Sequence, residues 1–134
     1  MPLHRSRQIT VAVAQPLDMV YLFLAKPENF TRWASGLGDA FEPAEAGLWR
    51  AQTPNGPVNI RFTPLNDYGV LDHHVIPPEC DPVYMPMRVY ANGTGCEVVV
   101  TVFRLPDMPL DDFERDAEAV QRDLLTLKAL LEES

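Results

Sequence analysis

The stretch Pro109-Leu-Asp-Asp-Phe-Glu-Arg-Asp-Ala-Glu-Ala-Val-Gln-Arg-Asp-Leu-Leu-Thr-Leu-Lys-Ala-Leu-Leu131 decides the fold of this chain. Phe113, Ala117, Val120, Leu124, Leu127 and Leu131 recur at alternating steps of four and three, which puts them on one stripe of an α-helix. Asp112, Asp116, Glu118, Arg122, Asp123 and Glu133 fall on the opposite side. Pro109 suits the start of such a helix, and Asp111, Asp112 and Glu114 complement the positive end of its dipole. A stripe this apolar must be covered, so the rest of the chain has to supply a matching surface.

That surface lies upstream, in segments with a period of two. Gln8–Val13 places Ile9, Val11 and Val13 on one side, as in a half-buried strand. Pro16 and Pro27 then open two short helical stretches. The second places Phe30, Trp33 and Ala34 together and is expected to end at Gly36 and Gly38. Asn55-Gly56 and Asn92-Gly93 are hairpin signals, with a longer turn at Leu65–Gly69. Strands are expected near 47–53, 57–63, 70–76, 83–91 and 96–104. The order of strand, two short helices, strands and a long helix reads as an α+β domain over residues 1–134 with one antiparallel sheet.

The hairpins sort the faces of this sheet. A tight turn at Asn55-Gly56 predicts Thr53 opposite Val58, Ala51 opposite Ile60 and Trp49 opposite Phe62. The second hairpin predicts Ala91 opposite Cys96, Val89 opposite Val98, Met87 opposite Val100 and Met85 opposite Val102. Each has one apolar and one mixed face, the pattern of a sheet covered on one side. Pro86 in mid-strand marks an edge or a bulge. Arg61 and Arg88 fall on the mixed face, so the alternation of Gly69-Val-Leu-Asp-His-His-Val-Ile76 is expected to put Asp72 outside with those arginines and His73 inside.

Composition excludes several classes of function. The 134 residues suit one domain, and 46% hydrophobic with 22% charged residues is globular composition. A net charge of −8 disfavours nucleic acid and anionic membrane surfaces as partners. The longest apolar run, Met19–Ala25, is too short for a membrane span, no secretory signal is evident, and a cytoplasmic protein is expected. Cys80 and Cys96 have no disulfide or zinc pattern. The sequence holds no phosphate loop, nucleophile elbow or dinucleotide fingerprint, so no cofactor is expected. Asp72-His73-His74 is a poor metal site, because neighbours on a strand point to opposite faces and no third ligand is spaced to join them.

The first strand, Pro27-Glu-Asn-Phe-Thr-Arg-Trp33, Gly47-Leu-Trp-Arg50, Gly69-Val-Leu-Asp-His73, Met87-Arg-Val-Tyr90 and the closing amphipathic helix resemble the START-like (SRPBCC) superfamily along nearly the whole chain. Within it, they are similar to bacterial stand-alone polyketide-cyclase-like proteins. The resemblance implies a helix-grip fold, in which a curved antiparallel sheet wraps the C-terminal helix around an apolar cavity. It also implies a small hydrophobic or aromatic ligand there. In this chain the expected lining is Trp33, Trp49, Phe62, His73, Met85, Met87, Val100, Phe113 and Val120. The alternatives are a cyclase or dehydratase with His73 as acid/base and an interaction protein without ligand. A homodimer is compatible with either.

Overall fold

The structure, a computed structural model, describes residues 3–35, 40–45, 47–54 and 56–133. The elements run β1 (Ser6–Val13), α1 (Leu17–Ala25), a 3-10 turn (Pro27–Asn29), α2 (Phe30–Trp33), β2 (Phe41–Glu45), β3 (Leu48–Thr53), β4 (Gly56–Phe62), β5 (His73–Ile76), β6 (Val83–Met85), β7 (Met87–Asn92), β8 (Gly95–Phe103) and α3 (Leu110–Glu132). The turn at Asn55 and the helix stop at Gly36 and Gly38 lie outside the described residues. All strand pairs are antiparallel.

The strands form two hydrogen-bonded sets, ordered β1-β8-β7 and β2-β3-β4-β5-β6. They join through the chain itself, because β6 and β7 are consecutive strands separated by Pro86. The strand expected over 83–91 is split at Pro86, the position expected to mark an edge or a bulge. Pro86 has no N–H to give to a ladder. Its carbonyl still accepts from Thr101 N–H at 3.0 Å, but upstream of it the chain leaves β8 and pairs with β5. Met85 therefore stands opposite His73 rather than Val102. The other pairs of that hairpin, Ala91 with Cys96, Val89 with Val98 and Met87 with Val100, are present.

The first hairpin is slipped by two from its expected register. Thr53 pairs with Gly56, Ala51 with Val58 and Trp49 with Ile60. A slip of two preserves the faces, because the strand period is also two. Trp49, Ala51, Ile60 and Phe62 thus remain on one side, with Arg50, Asn59 and Arg61 on the other. The edge strand β2 is an addition to the expected elements, pairing Phe41 with Ala51 and Pro43 with Trp49. The strand expected over 70–76 is regular only from His73, although Val70 bridges to Arg88 upstream of it.

α3 packs on the first set of strands. Five of its six stripe residues (Phe113, Ala117, Leu124, Leu127 and Leu131) are buried against Ile9, Val11, Val13, Val98, Val100 and Val102. Polar ties hold the end of the helix in place. Lys128 Nζ donates to Ala12 O at 2.7 Å, Ala14 N–H donates to Glu132 at 2.7 Å, and Gln15 donates to Leu131 O at 3.0 Å. Nearer the middle, Asp123 accepts from both the amide and the hydroxyl of Ser35, just after α2. Val120, the sixth stripe residue, is only half-buried. No helix among the described residues is long and apolar enough to cross a membrane.

Candidate ligand-binding site

The inner face of the second set of strands carries an aromatic cluster. Phe62, His73 and Met85 form one row across β4, β5 and β6, each directly opposite the next. Phe30 of α2 lies over this row, with ring centroids 5.2 Å from Trp33, 5.4 Å from Phe62 and 5.5 Å from His73, all edge-to-face. Such geometry suits the ring quadrupoles. Phe41 stacks on Trp49 at 4.9 Å and extends the cluster to the sheet edge.

His73 is 5% exposed, the one polar residue among the buried residues described. Its Nδ1 lies 3.2 Å from the Leu71 carbonyl. A carbonyl only accepts, so Nδ1 carries the proton and Nε2 is left as the acceptor of a neutral imidazole. Burial pushes the pKa of the ring below its ordinary 6.5, outweighing the Leu71 bond and nearby Asp72, which favour the charged form. Nε2 bonds no described residue, and since no buried side-chain nitrogen or oxygen among the described residues lacks a partner, it faces water-sized space. His73 borders a pocket of about 10 Å³ lined also by Leu24, Phe30, Trp33, Phe62 and Met87. That is room for on the order of one water molecule.

A larger space lies on the other side of Met85. Val83, Met85, Val102, Phe103, Met108 and Val120 are among the walls of a cleft of about 220 Å³ between β6, β8 and α3. Its single ionisable residue is Asp116, whose pKa burial raises, helped by Asp112 and opposed by Arg115. The cleft explains why Val120 is half-buried while its stripe neighbours are covered.

The structure divides the expected lining residues between these places. Trp33, Phe62, His73 and Met87 line the small pocket, whereas Met85 and Val120 line the cleft. Trp49 lies under Phe41, and Val100 and Phe113 are packed in the core between β8 and α3. Sequence reasoning missed Phe30 as the centre of the cluster, although its spacing from Trp33 is helical. It also missed Phe41, Met108 and Ala119.

Asp72 points to the outer face. Its carboxylate takes a bidentate pair of bonds from Arg88 at 2.9 and 2.8 Å, one from Met87 N–H at 2.8 Å and one from Tyr84 at 2.9 Å. Burial alone would raise its pKa, but these donors bring it down to about 2. Arg61, the other expected partner, instead stands opposite His74. Among the described residues, no three His, Cys, Asp or Glu side chains are grouped to hold a metal ion.

No family model and no curated protein matches this sequence. Solved structures do match its fold. Protein MLL2253 from Mesorhizobium loti superposes with a TM-score of 0.75 at 13% identity, over 97% of this chain and 98% of that one. Ara h 8.0201 gives 0.71 at 12% identity, over 97% and 99%. DynU16, a protein of the dynemicin biosynthetic locus, gives 0.72 at 16% identity, over 98% of this chain and 48% of that one. This is a helix-grip fold. Identities this low carry architecture and no chemistry. The cleft lies between the sheet and α3, whereas Phe30, Trp33, Phe62 and His73 pack where α1 and α2 meet the sheet.

Proposed function

We propose that the protein binds a small apolar or aromatic molecule in the cleft between β6, β8 and α3. The observation that carries this reading is the incompletely covered stripe of α3. Val120 faces a space of about 220 Å³ whose walls are apolar but for Asp116. Ligand sites are concave, mostly apolar and marked by few polar groups. A dry cavity of roughly 150 Å³ already admits one aromatic ring, so this cleft suits a ligand of one or two rings. Ara h 8.0201 and DynU16 support the reading by fold alone. A cyclase or dehydratase would need His73 to act with a second titratable group on the inner face. Asp72, its neighbour, is turned away and held by Arg88, which favours binding over catalysis.

The test uses 2-methoxynaphthalene, a neutral two-ring probe, followed by its own emission. It is expected to bind the native protein with a saturable curve. Ala119 lines the cleft and is half-buried, so Ala119→Trp fills the space from the helix side. That variant should keep its fold and lose the probe. Equal binding by both proteins would place the probe elsewhere and end this reading.

A further inference from the structure

We infer that the molecule taken up in the cleft presents a hydrogen-bond donor (a phenol, an alcohol or an N–H group) to Nε2 of His73, which it reaches past Met85. The inference rests on the cleft as the binding site and adds the polar chemistry of its ligand. Met85 and His73 stand directly opposite on neighbouring strands, so their side chains leave the same face side by side. Met85 borders the cleft and its cross-strand neighbour His73 borders the small pocket, so the row they share leads from one space to the other. Methionine is unbranched and adaptable, and Met87 lines the pocket from the next strand. A ring entering from the cleft can therefore displace a side chain rather than a strand.

The polarity of the deep end is fixed by the backbone. The Leu71 carbonyl holds the proton on Nδ1, so the ring offers a lone pair to whatever comes next to Nε2. A ketone, ether or carboxylate there would set one acceptor against another. Protonating the imidazole to accommodate a carboxylate is opposed by its burial among Phe30, Phe62 and Trp33. A donor on an aromatic ring meets both demands, since the same walls favour edge-to-face stacking. A ring without a donor would shut the Nε2 lone pair away from water unpaired, which is costly, and a donor on the ligand avoids that loss.

The experiment compares 2-naphthol with 2-methoxynaphthalene on the full chain. These probes share one skeleton and differ in the donor. The naphthol is expected to bind about tenfold tighter, the size of one buried hydrogen bond that is otherwise unmade. In His73→Phe the preference for the naphthol over the methoxy compound should disappear. A readout that needs no substitution is the ¹⁵N shift of His73 Nε2, which should move with naphthol and stay with the methoxy compound. If both probes bind the native protein equally and the Nε2 shift is unmoved, the inference is overturned while the cleft reading stands. If neither binds, the cleft reading falls and this inference with it.

Discussion

Asp72 and His73 are adjacent in sequence and opposite in every physical respect. One carboxylate serves four donor atoms on the outer face, and one imidazole sits neutral among aromatic rings on the inner face. Asp72→Asn keeps the shape but loses the charge that holds Arg88 and the Met87 N–H. It should cost about 1–3 kcal/mol in urea unfolding. The two residues also give separate pH windows. Asp72 has a folded pKa of about 2 against an ordinary 3.8, so its contribution is whole above 3.8 and is lost as pH falls toward 2. Asp72→Asn should flatten that limb. His73 has a folded pKa below its ordinary 6.5, so below 6.5 the unfolded chain takes up a proton that the folded chain refuses. Stability should fall there with a slope of up to ~1.4 kcal/mol per pH unit, and His73→Phe should remove that slope in pH-dependent melts. The opposite facing of the two was legible in sequence, because Arg88 lies across from Asp72 on the mixed face. Arg61, expected as a second partner, does not bond Asp72. Asp72 lies before the regular part of β5 and turns its carboxylate toward β7, away from β4.

Among the elements, the long helix and the second hairpin were readable because their patterns are unambiguous. The segment 41–45 was not, since Pro43 argues against a strand. β2 tolerates it because an edge strand has one side free of ladder bonds. The loop from Thr63 to Val70 shows what a turn signal leaves unsaid. Asn66 Oδ1 accepts from Tyr68 N–H at 2.9 Å and Val70 N–H at 3.1 Å, its Nδ2 donates to Val70 O, and its own N–H donates to the Tyr21 hydroxyl. Gly69 then has φ +69°, and a Cβ there would collide with the Val89 carbonyl oxygen. The same residue's carbonyl accepts from Val89 N–H at 3.0 Å, so the loop cannot easily draw back. Gly69→Ala combines a left-handed backbone with a backbone clash and should cost at least ~2 kcal/mol by denaturant titration. A loss under 0.5 kcal/mol would mean that this loop is free to shift away from β7.

The whole molecule is built of two unequal halves. β1, β8, β7 and α3 enclose a continuous core, with Val13, Val98, Leu124 and Leu127 at or below 1% exposure. The β2–β6 half relies on rings packed edge to face under a four-residue helix, with a cleft along its junction to α3. A helix-grip protein that admits a ligand needs this asymmetry, because the half that opens must be cheaper to disturb than the half that holds. Leu127→Ala should therefore lower global stability by roughly 2–5 kcal/mol, read in the slowest amides of β1 and β8. Phe41→Ala removes the ring stacked on Trp49, and its effect should be local. Hydrogen exchange in β2 and β3 should speed up, while the amides of β1 and β8 keep their protection. If Phe41→Ala instead accelerates exchange uniformly, the halves unfold as one unit. Entry past Met85 would then require global opening, and 2-naphthol would reach His73 no faster than the protein unfolds.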